Sequence, residues 1–193
     1  MSSDESVVKE ALANRRPMTP LQRVAMGLVL VALDTLGRVD TLPDPIGWTL
    51  VIWGVAALPL PERRALVASA ALALVTSAVL WVPQAKDWVA DTELALKWAT
   101  SLPDLLFVVL LSRALIAAAR GQKPVDRKVA GRFGLSLTLA VIVTAMVPVG
   151  YAADSDQIVG YAELGFVLLW LYLVWNLFAV HSRTWLGGTP TTG

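Results

Sequence analysis

The chain has 193 residues, of which 56% are hydrophobic and 16% are charged, whereas about 25% of the residues in a soluble domain are charged. This composition excludes a disordered chain and argues against a soluble globule, and a net charge of +1 gives no global excess that would indicate nucleic-acid binding. The chain has no cysteine, which excludes disulfides, thiolate metal ligands and a cysteine nucleophile.

Residues 1–20 are predicted to form a polar cytoplasmic arm. Three acids precede Arg15 and Arg16, and no cleavage site of small residues follows the first apolar stretch, so the pattern is not that of a secretory signal peptide. Residues 187–193, GGTPTTG, are predicted to form a flexible cytoplasmic tail because Gly, Pro and Thr are typical of irregular structure. The membrane domain is assigned to residues 21–186.

Six apolar stretches lie between the arm and the tail. Because a helix needs about 20 residues to cross roughly 30 Å of hydrocarbon, we predict an all-α polytopic membrane bundle with six transmembrane helices. The predicted spans are residues 21–38, 45–60, 65–83, 102–119, 133–151 and 160–180. The first two are short, so the alternative is four crossings with these two stretches forming a re-entrant or interfacial pair.

The Lys and Arg residues alternate between the two sides that these crossings define. Thirteen of the 16 fall on the side of both termini, and only Arg38, Lys86 and Lys97 fall on the other side. Because basic loops remain in the cytoplasm, both termini are predicted to be cytoplasmic. The loop bounded by Arg120 and Arg132 is rich in basic residues and is expected to contact anionic lipid headgroups.

Aromatic residues are placed near the ends of the predicted spans. Trp48, Trp81, Trp88 and Trp98 fall near the predicted outer ends, as is typical of the aromatic belts of membrane proteins. Between spans three and four, residues 84–100 alternate between apolar and charged side chains. This pattern predicts an interfacial helix on the outer face.

Two predicted outer helix starts share one pattern. Residues 41–44 read Thr-Leu-Pro-Asp and residues 101–104 read Ser-Leu-Pro-Asp, and Glu163 stands near the start of span six. Three tandem hairpins would explain this repetition. The alternative is common helix-start chemistry, because Ser or Thr three residues before an acid is a capping box.

The candidate functional site consists of acids within or at the ends of the predicted spans. Ionisable groups in a bilayer are unfavourable and are functional candidates by default, and carboxylates that meet in low dielectric share a proton or bind a cation. The candidates are Asp34, Asp44, Asp104 and Glu163, with Arg113 and Asn176 as intramembrane partners. The alternative is that each acid satisfies a helix N-terminus or pairs with a nearby cation.

The sequence contains no familiar catalytic motif. It has no Gly-rich phosphate loop, no H-E-x-x-H and no G-x-S-x-G sequence. The single histidine, His181, has no neighbouring residues at the spacing of metal ligands. We therefore predict no catalytic residue, cofactor or metal.

Residues 33–54, LDTLGRVDTLPDPIGWTLVIWG, carry a recognisable motif. They resemble a segment of small bacterial multi-pass membrane proteins, in which an acid ends one span and Leu-Pro-Asp-x-Ile-Gly-Trp/Tyr opens the next. The matching positions are Asp34, Leu42, Pro43, Asp44, Ile46, Gly47 and Trp48. The resemblance to these uncharacterised proteins implies a multi-pass protein of the bacterial cytoplasmic membrane, and it implies no particular activity.

Two classes of function remain. The first is a non-enzymatic accessory or interaction protein, whose partners would be the lipid bilayer and other membrane proteins. The alternative is a small transporter or channel with an acidic, outward-facing cation or proton site. A transporter should have a water-filled cavity between spans one, four and six, whereas an accessory protein should have a packed core and an exposed apolar seam.

Overall fold

The computed structural model describes residues 18–36, 44–91 and 94–188, apart from the side chains of residues 34–36, 86, 90, 94–95 and 97. Most of the predicted arm and tail therefore lies outside the described residues, and both stay predictions. The described residues form helices and no strand, which confirms the all-α prediction. The helices are α1 (Pro20–Leu36), α2 (Asp44–Ala56), α3 (Arg63–Leu80), α4 (Pro83–Ala90), α5 (Leu94–Arg120), α6 (Arg127–Ala152) and α7 (Asp156–Val180), followed by the short 3-10 helix Thr184–Leu186.

Four of the described helices are long and apolar enough to cross a membrane. They are α3, α5 over Trp98–Arg120, α6 and α7. In contrast, α1 has 17 residues and α2 has 13, which correspond to about 25 Å and about 20 Å at 1.5 Å per residue. Both are shorter than the roughly 30 Å of a hydrocarbon core, so the six-span prediction is not confirmed.

Six of the helices form a closed ring in which each helix packs against two neighbours. The order around the ring is α1, α2, α3, α5, α6 and α7, and α7 packs back against α1. The short helix α4 lies beside α3 and α5. The ring contains the pairs α1–α2, α3–α5 and α6–α7 that three tandem hairpins would require, although the repetition itself stays a prediction.

One end of the ring holds the start of α1, the end of α2 and the segment after α7. A Cβ atom built on Gly54 would lie 2.8 Å from the carbonyl oxygen of Pro20, and one built on Gly187 would lie 3.3 Å from Pro20 Cγ. An ion pair of 3.3 Å joins Arg183 Nε to Asp126 Oδ2 in the loop before α6. Because this end also holds the starts of α3 and α6, with their arginines and lysines, we call it the basic end and the opposite one the acidic end.

Two helix starts are capped by side chains that were not predicted as capping residues. Asp126 accepts a hydrogen bond from Val129 N at 3.2 Å at the start of α6. Ser155 accepts one from Ile158 N at 3.4 Å at the start of α7. Both side chains satisfy backbone N–H groups that have no partner within the helix.

The predicted helix start at residues 101–104 is wrong. Helix α5 begins at Leu94 and continues through Pro103, and Ser101 Oγ donates to Trp98 O at 2.7 Å instead of capping a helix. Transmembrane helices tolerate an internal proline because neighbouring groups satisfy the freed backbone atoms. Residues 84–100 likewise do not form one interfacial helix, since α4 ends at Ala90 and the following helix is continuous with a membrane span.

Candidate functional site

The centre of the ring is filled by aromatic side chains from three helices. Trp48 of α2 is 1% exposed, Phe107 of α5 is fully buried and Trp170 of α7 is 4% exposed. The Trp48 ring lies 5.3 Å from Phe107 and 6.5 Å from Trp170, both in edge-on arrangements. Trp170 Nε1 also donates a hydrogen bond of 3.0 Å to Leu28 O of α1. Four helices therefore meet at one aromatic layer, named here the central layer.

The position of Trp48 corrects a sequence-based prediction. This side chain was expected in an aromatic belt, but it lies at the centre because α2 begins only one helical turn before it, at Asp44. Trp81 and Trp88 are 61% and 63% exposed, as belt residues would be. The environment of Trp48 is therefore set by its depth in the ring of helices. That depth depends on how the α1–α2 hairpin packs against the other helices.

Helices α1 and α2 approach each other more closely than any side chain at the contact would allow. A Cβ atom on Gly27 would lie 2.5 Å from Gly47 O, and one on Gly47 would lie 2.7 Å from Gly27 O. Small residues permit such backbone contact between helices in a membrane. The sequence contained a usable signal, since Gly47 and Gly54 are seven residues apart and therefore share one face of α2.

Two of the four candidate acids are brought together next to the central layer. Asp44 precedes Trp48 by about one turn of α2, and Asp104 precedes Phe107 by about one turn of α5. Because the rings of Trp48 and Phe107 are in contact, the two carboxylates lie at a similar level. The Asp104 carboxylate is buried, and Asp44 lies near enough for its charge to act on that carboxylate.

Asp104 of the acid pair lies inside the membrane-spanning part of α5, and Asp44 lies at a similar level at the start of α2. Asp104 is six residues after Trp98, where the apolar segment of α5 begins, which corresponds to a depth of about 9 Å at 1.5 Å per residue. Carboxylates that meet in a low dielectric share a proton or bind a cation. The pair is therefore the part of the predicted site with the clearest chemistry.

The other predicted site residues are not part of this pair. Glu163 is exposed and lines a different cleft, and Arg113 is exposed on α5. Asn176 is buried, and its Nδ2 donates to Tyr172 O of the same helix at 2.8 Å. The side chain of Asp34 lies outside the described residues, so its part in the site stays a prediction.

Two open clefts lie towards the acidic end of the ring. One has a volume of about 600 Å³ and lies between α5, α6 and α7, with Trp98, Tyr151, Glu163 and Phe166 among its lining residues. The other, of about 440 Å³, lies between α3, α5 and α6 and is lined almost entirely by apolar side chains. Only the first cleft brings a charged group together with aromatic rings.

The described residues contain no group of three or more His, Cys, Asp or Glu side chains that could hold a metal ion. His181 follows the last turn of α7, where its Nδ1 contacts the carbonyl oxygen of Phe178. A ring nitrogen beside a carbonyl at a helix C-terminus satisfies part of the end of that helix.

No protein-family model, no curated protein and no solved structure matches the chain. The motif at residues 33–54 can nevertheless be interpreted through the positions of its described residues. Gly47 forms the close contact with α1, Trp48 fills the central layer and Asp44 lies near Asp104. Three motif positions therefore have distinct physical roles in docking α2.

Proposed function

We propose that the chain is a non-enzymatic accessory or interaction protein of the bacterial cytoplasmic membrane. The observation that carries this proposal is the packed central layer, because Trp48, Phe107 and Trp170 occupy the space that a transport path along the ring axis would need. A protein with a filled centre acts through its outer surface. Its function would then depend on what packs against the outside of the helices.

The outer surface of α7 offers a regular apolar stripe for such a partner. The stripe, called the α7 stripe, contains side chains that are each more than half exposed: Tyr161, Leu164, Leu168, Leu171 and Trp175. Their separations alternate between three and four residues, which is the spacing of a seam between two paired helices. A partner helix packed along this stripe would replace lipid tails over five consecutive contact positions.

The arrangement of the ends supports a cytoplasmic location of both termini. The start of α1 and the residues after α7 lie together at the basic end, so the described part of the chain crosses an even number of times. Exposed basic side chains concentrate in loops on the cytoplasmic side of membrane proteins. We therefore assign the basic end to the cytoplasm.

The interaction proposal is tested by purification from native membranes in a mild detergent. The test variant carries Leu168→Ala and Leu171→Ala, and the matched control carries Val75→Ala and Val79→Ala on the exposed face of α3. We expect the wild-type chain and the control to retain a stoichiometric membrane-protein partner, and the test variant to lose it. Retention by all three proteins, or by none, would contradict a partner on the α7 stripe.

A second candidate function is a small cation or proton transporter. It is favoured by one observation, the pairing of the Asp44 and Asp104 carboxylates within the membrane-spanning region. Reconstituted vesicles with a pH-sensitive dye, and with Na⁺ or K⁺ gradients, distinguish the two functions. If the chain is an accessory protein, flux will equal that of protein-free vesicles.

The transporter alternative makes its own residue-specific prediction. A flux that Asp104→Asn abolishes and Asp154→Asn leaves intact would establish transport and overturn the accessory function. Asp154 is a suitable control because it is exposed at the acidic end and has a positive φ of 49°, a conformation that asparagine also adopts.

Anionic lipid headgroups are the proposed lipid partners of the basic end. In the loop bounded by Arg120 and Arg132, the side chains of Arg120, Lys123, Arg127 and Lys128 are exposed. A basic residue near an anionic surface contributes about 1 kcal/mol. Replacing Lys123 and Lys128 with Gln should lower the retention of phosphatidylglycerol in nanodiscs, most strongly at low salt. Retention that depends on neither salt nor these lysines would show that the loop has no such role.

A further inference from the structure

Within the part of the chain that the structure describes, the Glu163 carboxylate has no cationic side chain as a partner. It lies on α7 seven residues after Asp156, about 10 Å along the helix at 1.5 Å per residue, and its side chain is exposed. Among the described residues, no Lys or Arg forms an ion pair with it. A charged group on a membrane-spanning helix is unfavourable unless a counter-charge or water accompanies it.

The cleft beside Glu163 has the lining of an ammonium site. Its volume of about 600 Å³ lies within the range of ligand pockets, roughly 300–1,000 Å³. Trp98, Tyr151 and Phe166 line the same cleft as the carboxylate. Aromatic faces attract ammonium groups through the ring quadrupole, and a carboxylate adds direct charge pairing. An anionic group would instead be repelled by Glu163.

The rest of the cleft is apolar, which limits the kind of molecule that would fit. Val143, Val147, Val159 and Val167 line it on the α6 and α7 sides. Such a wall suits a hydrocarbon chain rather than a free, water-soluble amine. The occupant should therefore be an amphiphile. Its headgroup carries a positively charged nitrogen, and its hydrocarbon tail continues into the bilayer.

The indole N–H of Trp98 also needs a hydrogen-bond acceptor. Its indole nitrogen is buried and has no hydrogen-bond partner among the described residues. Buried donors in proteins are nearly always paired. Because the same ring lines the cleft, an acceptor oxygen on the occupant, such as a phosphate or ester oxygen, can supply the partner.

We propose that this cleft, the Glu163 cleft, binds a phospholipid with an ammonium headgroup. Glu163 pairs with the ammonium among the aromatic rings, the Trp98 indole donates to a headgroup or ester oxygen, and an acyl chain lies on the valine wall. Lipid of the leaflet at the acidic end supplies the ligand. The site is independent of the α7 stripe and of the acid pair at Asp44 and Asp104.

The test measures the lipid retained by the full chain. Wild-type protein and variants are taken from nanodiscs containing equal amounts of phosphatidylethanolamine, N-acyl-phosphatidylethanolamine and phosphatidylglycerol with identical acyl chains, and bound lipid is identified by native mass spectrometry. The N-acylated lipid lacks the ammonium and keeps the phosphate. The variants are Glu163→Gln and Trp98→Phe, with Asp154→Asn as the matched control outside the cleft.

We expect phosphatidylethanolamine to be enriched about tenfold on the wild-type chain relative to Glu163→Gln, with no enrichment of the N-acylated lipid. Trp98→Phe should lower the enrichment about threefold, and Asp154→Asn should leave it unchanged. Comparing each variant with wild type in one lipid mixture cancels any binding at the basic end, because all of these proteins share that end.

Equal retention of phosphatidylethanolamine and its N-acylated form by the wild-type chain would overturn the proposal. So would a preference for phosphatidylethanolamine that Glu163→Gln does not reduce. Circular dichroism and gel filtration establish whether each variant is folded, and if Glu163→Gln is not, the Trp98→Phe variant and the N-acylated lipid decide the outcome. Neither measurement involves a partner protein or ion flux, so their results are separate from those for the proposed function.

Discussion

The α1–α2 hairpin is packed differently from the helices α5, α6 and α7. The hairpin helices are described over less than the thickness of a hydrocarbon core, their backbones touch at Gly27 and Gly47, and Trp48 fills the central layer. The long helices span by length and composition, but they leave an open cleft between them. Lipid can surround a long apolar helix, whereas the short hairpin helices are held by close contacts with the rest of the protein.

This difference predicts that the hairpin is the part of the molecule most sensitive to substitution. The largest effect is expected from Trp48→Ala, which removes a fully enclosed aromatic side chain that contacts Phe107 and Trp170. Such truncations lower the free energy of unfolding by about 3–5 kcal/mol. Unfolding in mixed detergent and SDS, followed by circular dichroism, measures the change.

Trp175→Ala is the matched control for that measurement. Trp175 is 71% exposed on the same helix as Trp170, so its removal should change the free energy of unfolding by less than about 0.5 kcal/mol. Equal losses for the two tryptophans would mean that the central layer does not dominate stability, and the contrast between the two regions would disappear.

A second, smaller effect is expected from Gly47→Ala. The added methyl group would lie 2.7 Å from Gly27 O, so α1 and α2 must separate, and overpacking of this kind lowers the free energy of unfolding by about 1–3 kcal/mol. Gly160→Ala on α7 meets no atom within 4 Å and should be neutral or stabilising, because alanine favours a helix by up to about 1 kcal/mol. Similar behaviour of the two variants would show that the hairpin contact is not tight.

The smallest change in the free energy of unfolding should come from removing the side-chain cap at the start of α6, one of the long helices. Asp126 caps α6 and pairs with Arg183, so Asp126→Ala should lower the free energy of unfolding by about 1 kcal/mol. Glu62 occupies the equivalent position before α3 without a capping hydrogen bond, and Glu62→Ala should have almost no effect. A larger loss at Glu62 than at Asp126 would contradict this assignment of the caps.

The helices themselves were largely predictable, because apolar length is a strong signal in a membrane protein. The predicted span 65–83 begins close to the start of α3, and the predicted span 133–151 ends close to the end of α6. The error at Ser101 arose because a capping-box sequence with proline can also lie inside a helix when surrounding groups satisfy the backbone. Local sequence describes the chemistry of a helix start, but it does not decide whether the preceding residues are also helical.

The site was less predictable than the helices. The acids Asp44 and Asp104 were both candidates from the sequence, and their proximity depends on the register between α2 and α5. Glu163 was grouped with them because it lies near the same predicted face, but it belongs to a cleft formed with α6. The order of the helices around the ring decides which acids share a site. The periodicity of a single helix does not contain that order.

The unequal lengths of the helices also affect the bilayer around the protein. On one part of its circumference the ring presents α1 and α2, of about 25 Å and 20 Å, and elsewhere it presents α6 and α7, of nearly 40 Å. Lipids beside a short apolar surface must thin or tilt, and each ångström of mismatch requires a fraction of a kilocalorie per mole. The ring therefore matches a bilayer that is thinner beside α1 and α2 than beside α6 and α7.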